Sequence, residues 1–167
     1  AKRSESLAHG GGLANTTGGC KIKHMTLGLK HAYKLFAKYP GMRPKDEAIW
    51  DAFIMSHPET FDFCYYNVHL GDPAHDDAER EEMRANGMFD VSQWCVDVLA
   101  FKGAMPFVIE VKPYAGAGAI GQALAYRAKL IDDQFITANA QAAILTDNFS
   151  PILLEVCQLL NVAVWTP

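Results

Sequence analysis

Asp97, Glu110 and Lys112 are the residues of this 167-residue chain whose types and spacing suit them to act together. Gln93 to Phe101 (QWCVDVLAF) and Pro106 to Lys112 (PFVIEVK) alternate as strands do, and Gly103 lies in the short link between them, which predicts a β-hairpin. A two-residue type II′ turn at Gly103-Ala104 pairs residues whose numbers sum to 207, so Asp97 faces Glu110. Directly opposed side chains have Cβ atoms roughly 5 Å apart, and like charges there repel. Lys112, two residues beyond Glu110, projects from the same face of the sheet. Two carboxylates and an ammonium converging on one face describe a divalent-metal site with a lysine beside the reaction centre. The competing reading is a solvated charge ladder on an open sheet face. Against it, Glu110 stands among Phe107, Val108, Ile109 and Val111, and Asp97 among Val96, Val98 and Leu99. Carboxylates in strands this apolar need a specific partner.

The elements that must hold these groups follow from periodicity. Thr26 to Tyr39 carries Leu29, Tyr33 and Phe36 at helical spacing, with Lys30, Lys34 and Lys38 on a separate stripe, and Pro40-Gly41 ends it. The expectation is an amphipathic helix with a basic face. Pro44 opens a second helix to about Ser56, burying Ile49, Ala52 and Phe53. Phe61 to Leu70 reads as a strand stopped by Gly71-Asp72-Pro73, and Asp76 to Asn86 as a charged loop or short helix. After the hairpin come a helix over Ala117 to Asp132, a strand over Ala142 to Thr146, a helix over Pro151 to Leu160 and a strand over Val162 to Trp165. This alternation predicts an α/β fold with a central mixed sheet flanked by helices.

Composition narrows the class further. Half of the residues are apolar and a fifth charged, which fits one globular domain, over 26–167, preceded by a Gly-rich basic arm over 1–25. There is no run of about 18 apolar residues, and the first twenty are too polar for a secretory segment, so the expected location is cytoplasmic with no membrane partner. Cys20, Cys64, Cys95 and Cys157 form no C-x-x-C pair, which argues against a zinc ribbon or a disulfide scaffold. Residues 1–45 hold nine Lys/Arg and one acid, whereas 46–167 hold six against eighteen. A basic arm on an acidic body suits a protein that meets a polyanion while keeping carboxylates for a metal.

The string DVLAFKGAMPFVIEVK from Asp97, followed by GQALAYRAKL, resembles the PD-(D/E)xK nuclease superfamily, especially its RecB-like members with a Q-x-x-x-Y helix. The resemblance covers residues 44–167, and no Pro-Asp dipeptide precedes the first metal strand, since Asp97 follows Val96. It implies a restriction-endonuclease-like α-β-β-β-α-β core and Mg²⁺-dependent hydrolysis of DNA phosphodiester bonds, with Mn²⁺ as a substitute. It also implies a cation held by Asp97, Glu110 and the Val111 carbonyl, with Lys112 catalytic. Gln122 and Tyr126, at i and i+4, would share a helix face and position a phosphate or a water. RecB-like members often add an acid from the first core helix, for which Glu47 is the candidate and Glu59 the second; a helix-dipole interaction explains Glu47 equally well. Asp90 is the alternative first ligand, outside the paired register. Sequence-independent phosphate contacts would come from Lys2, Arg3, Lys21, Lys23, Lys30, Lys34 and Lys38. The family serves repair, restriction, phage recombination and mobile elements. Two further readings stay open: a catalytically silent nucleic-acid-binding or structural subunit of the same fold, and the DNA-end-cleaving subunit of a transposition or recombination complex. In the latter the arm binds a partner protein or a second copy.

Two other clusters carry less. His69, Asp72, His75 and Asp76 match no standard metal spacing, and Pro73 marks a plain loop. Gly116, Gly118 and Gly121 imitate a dinucleotide loop, but only about 45 residues follow, too few for the rest of such a fold.

Overall fold

A computed structural model describes residues 27–167. The arm over 1–25, with Lys2, Arg3, Lys21 and Lys23, lies outside the described residues. The chain runs β1 (His31–Ala32), α1 (Pro44–Ser56), β2 (Phe63–Leu70), α2 (Asp77–Ala85), α3 (Met88–Ser92), β3 (Trp94–Lys102), β4 (Met105–Lys112), α4 (Ala117–Asp132), β5 (Gln141–Thr146), α5 (Pro151–Leu159) and β6 (Val162–Trp165). The six strands form one mixed sheet in chain order, antiparallel from β1 to β4 and parallel from β4 to β6. The fold is therefore α/β, with helices on both faces of the sheet. No helix among the described residues is long and apolar enough to cross a membrane.

The hairpin register is the predicted one: Lys102 pairs with Met105, Leu99 with Val108 and Val98 with Ile109, around a turn in which Gly103 takes φ +56°. A positive φ at the first turn position is what glycine supplies there. One layer of core lies beneath α1, where Ile49, Trp50, Phe53 and Ile54 cover Val98, Ala100, Ile109 and Val111. On the other face Tyr126 and Leu130 of α4 pack on Val68, Leu70, Leu99 and Val108, while Cys157 of α5 joins Ala123, Ala142 and Ile144. Ala52, expected in the core, is only half-buried, and Trp50 takes its place, fully buried with its indole N–H donating to Tyr66 Oη at 3.2 Å.

The largest departure from expectation is the segment before α1. Among the described residues no helix forms over 27–39; only His31–Ala32 is regular there, pairing with Phe63 and Cys64 as an edge strand. Helical spacing there reflects aromatic anchoring instead. Tyr33 donates to the His57 carbonyl at 2.9 Å, Tyr39 donates to Asp51 at 2.6 Å, and Tyr39 Oη accepts the Phe36 N–H at 3.2 Å. Tyr33 and Tyr39 are fixed by tertiary contacts, and these override the weak preference of a short isolated helix. Lys30, Lys34 and Lys38 are exposed but do not share a helical face. Lys30 Nζ instead lies 3.6 Å from the Phe63 ring centre, and Lys34 Nζ 5.5 Å from that of Phe36.

Candidate functional site

The ladder between β3 and β4 stops at Val98 and Ile109, so the rung that would set Asp97 against Glu110 is not closed. Asp97 fills the opening with its side chain: Oδ2 accepts the Val111 N–H at 2.9 Å and faces Lys112 Nζ at 3.1 Å. The same ammonium lies 2.7 Å from Glu110 Oε1. Lys112 thus bridges the two carboxylates, and the three groups that the register brings to one face do meet. They sit at the carboxyl end of β4, where the chain turns into α4, the usual place for a ligand crevice in a sheet with parallel strands.

Burial gives the triad its character. Glu110 is 2% exposed, and its second oxygen, Oε2, is buried without a hydrogen-bond partner. A buried carboxylate oxygen left unpaired is costly and marks a place where a partner is due. Burial, reinforced by the Asp97 charge, pushes the Glu110 carboxyl up to about 7. Burial alone would pull Lys112 down, but the charges of Asp97 and Glu110 outweigh it and hold the ammonium above its ordinary range. Lys112 is therefore a persistent cation at neutral pH.

A cleft of about 740 Å³ opens beside the triad, lined in part by Asp97, Lys112, Gln122, Asp46, Asn67 and Cys95. Gln122 and Tyr126 share a face of α4 as expected, and the amide donates to the phenol at 3.1 Å. Only Gln122 lines the cleft. Tyr126 is buried against Trp94, with ring centres 5.9 Å apart, and serves to hold the amide. Burial raises its phenol, an effect the bond from Gln122 partly offsets.

The acid that α1 directs at the cleft is Asp46, not Glu47. Glu47 Oε1 accepts the Tyr39 N–H at 3.1 Å and fastens the preceding segment. Asp46 is 7% exposed, and burial raises its carboxyl, opposed by Lys112 and aided by Asp97. The signal was present in the sequence: Asp46 falls at i with Ile49, Trp50 and Phe53 at i+3, i+4 and i+7, on the buried stripe. Glu59 is remote, its carbonyl bound by Lys102 at the turn end of the hairpin. Asp90 is exposed on α3, and its carbonyl contacts His69.

The loop acids have structural posts. Asp72 pairs with Arg80 at 2.7 Å, and Asp76 caps α2 by accepting the Glu79 N–H at 2.9 Å. A Cβ placed on Gly116, Gly118 or Gly121 would meet nothing within 4 Å, so no close backbone approach demands glycine there. Cys95 was not singled out in the sequence as a cleft residue; burial and then the Asp97 and Glu110 charges push its thiol up to about 11, which leaves it unreactive.

Among the described residues, no three His, Cys, Asp or Glu side chains form a ready-made metal-binding group. Two hard oxygen donors do converge, and one of them has a vacant buried oxygen. Such a set fits a cation like Mg²⁺, which keeps several waters and takes only one or two protein carboxylates. Comparison with protein-family models, curated proteins and solved structures finds no match to this chain.

Proposed function

We propose that this chain is a Mg²⁺-dependent deoxyribonuclease with a restriction-endonuclease-like core of PD-(D/E)xK type. The observation that carries the reading is the buried Glu110, with an unpartnered Oε2, joined through Lys112 to Asp97, the last two lining an open cleft. Burying one acid beside two partly buried charges is a poor way to stabilise a sheet, since apolar residues of similar volume do so at least as well. The arrangement is better explained by chemistry.

Asp97 and Glu110 would hold the cation, with the Val111 carbonyl as a third ligand. When bound, the cation supplies positive charge at the scissile phosphate and makes an attacking water more acidic. The protein's own groups do the rest. Lys112, protonated throughout the neutral range, is suited to offset the charge that builds on the phosphate oxygens and to orient the water, not to accept its proton. Gln122, steadied by Tyr126, offers an amide to a phosphate oxygen or to the water from across the cleft. Arg43 and Lys45 line the same cleft and, with Lys30, Lys34 and Lys38, can contact the DNA backbone without reading sequence. Lys2, Arg3, Lys21 and Lys23 would add phosphate contacts by charge alone.

The second reading, a silent DNA-binding subunit, is favoured by one observation: Lys112 already pairs with both acids. Incubation of the protein with linear, circular and single-stranded DNA, in Mg²⁺, in Mn²⁺ and in chelator, separates the two. Cleavage that needs a divalent cation and is lost in Lys112→Ala supports the enzyme. Tight binding without cleavage under every condition supports the silent subunit.

A further inference from the structure

Asn67 stands in the middle of β2 with φ +53°, a left-handed conformation inside a strand. Asparagine tolerates this region better than most residues, but it is rare within a ladder. Its consequence is visible in the pairing. β2 and β3 pair from Phe63 and Phe101 to Tyr66 and Val98, and resume at Val68 and Val96, leaving out the rung of Asn67 and Asp97. Alternate residues of a regular strand share a face. Here Tyr66 and Val98 lie in the core under α1, whereas Val68 and Val96 lie in the core under α4. Both strands therefore turn over at the same rung.

That turnover coincides with the opening of the β3–β4 ladder, because Asp97 is the residue left unpaired toward both neighbouring strands. A backbone freed on both sides lets the carboxylate swing into the β4 edge and take the Val111 N–H. Asn67 is itself held in place: Oδ1 accepts from Cys95 Sγ at 2.8 Å, Nδ2 lies 3.0 Å from His69 Nε2, and a Cβ on Gly41 would collide with its side chain. We propose that Asn67 is the positioning residue of the site, its left-handed backbone opening the β2–β3–β4 ladder so that Asp97 points at Val111 and Lys112. The geometric part stands on the fold alone; the part concerning a cation rests on the nuclease reading.

Amide exchange measured residue by residue tests the geometric part, with Val111 as reporter. Asn67→Ala, which disfavours the left-handed region, should speed Val111 exchange by about tenfold, as expected for losing a hydrogen bond to a charged acceptor. Asn67→Gly, which restores that region without the side chain, should return Val111 to the wild-type rate. The inference is overturned if both variants exchange like wild type, or if glycine loses as much protection as alanine. Calorimetric Mn²⁺ titration of the same proteins reads the second part. Alanine should weaken binding by about tenfold, a usual size for an outer-shell partner, and glycine should recover it. If the wild type binds no Mn²⁺ while Val111 follows the predicted pattern, the nuclease reading fails and the positioning role of Asn67 stands.

Discussion

Each end of the β3–β4 hairpin has a lysine paired with an acid, Asp62 from before β2 at the turn and the hairpin's own Asp97 and Glu110 at the open end, and the two teach different things. At the turn, Lys102 Nζ lies 3.1 Å from Asp62 Oδ1, with both side chains about half exposed. At the open end, Lys112 Nζ lies at the same 3.1 Å from Asp97, yet it also bridges Glu110, whose side chain is 2% exposed. Distance is equal, so the difference must come from solvent. In water-like surroundings the attraction is small and screened, whereas burial magnifies both attraction and the penalty for a missing partner. The turn pair ties down a loop; the open-end triad stores an electrostatic demand that a ligand can meet.

The sharpest way to break this comparison is to truncate each lysine. Lys112→Ala leaves Glu110 buried beside Asp97, and at pH 8 it should cost about 3 kcal/mol, the low end for breaking a buried pair because Lys112 itself is partly solvated. If the nuclease reading holds, cleavage falls by about 10²–10³-fold in the same variant, the range for losing one preorganised group that stabilises developing charge. Urea melts and a plasmid-nicking assay check the two effects.

Next in size is the pH dependence that Glu110 imposes on the metal-free protein. Its carboxyl is raised by burial and by Asp97 from 4.5 to about 7. A group raised on folding adds stability below its unfolded value and loses it as pH climbs through the folded one. The protein should therefore lose stability between about pH 4.5 and 7 on this account, with Lys112 and Asp46 also bearing on the group. Glu110→Gln should flatten that slope in melts run across the window. An unchanged slope would show that Lys112 already compensates the charge in full.

A smaller effect separates Asp46 from Glu47. Asp46→Asn, at the cleft, should lower cleavage by about tenfold with little change in melting, since it alters the field on Lys112 and Asp97. Glu47→Gln should leave cleavage alone and loosen only the Tyr39 contact. Steady-state assays of both variants decide which acid belongs to the site.

These contrasts also mark what the sequence could reveal. The hairpin register was legible because a two-residue turn leaves no freedom in pairing, and Asp97, Glu110 and Lys112 follow from it. The last five elements were legible from periodicity, with α4 and β6 at their expected bounds. What stayed hidden depended on long-range context. The Tyr33, Phe36 and Tyr39 spacing imitates a helix, but Tyr33 and Tyr39 answer to His57 and Asp51, outside their own segment. Asn67 looks like any polar strand residue, because a left-handed φ is set by the neighbours that hold it. Asp46 and Glu47 both fall in the first turn of α1, and only the apolar stripe of Ile49, Trp50 and Phe53 tells which of them faces inward.

The smallest expected effect belongs to the turn pair, and it is informative because it should nearly vanish. Asp62 accepts the Gly103 N–H at 2.6 Å as well as facing Lys102, and the first of these holds its carboxyl below the usual range, with Lys102 second. A depressed carboxyl adds stability above its unfolded value and loses it as the solution is acidified through the folded one. With both side chains open to solvent, Lys102→Ala should shift a urea melt only slightly at low ionic strength. At about 1 M salt, where screening acts within about 3 Å, that shift should disappear. The Lys112→Ala loss should persist under the same salt, since its partner is out of reach of the ions. Equal salt sensitivity at the two ends would mean that the cleft is as wet as the turn, and the claim that burial distinguishes them would fail.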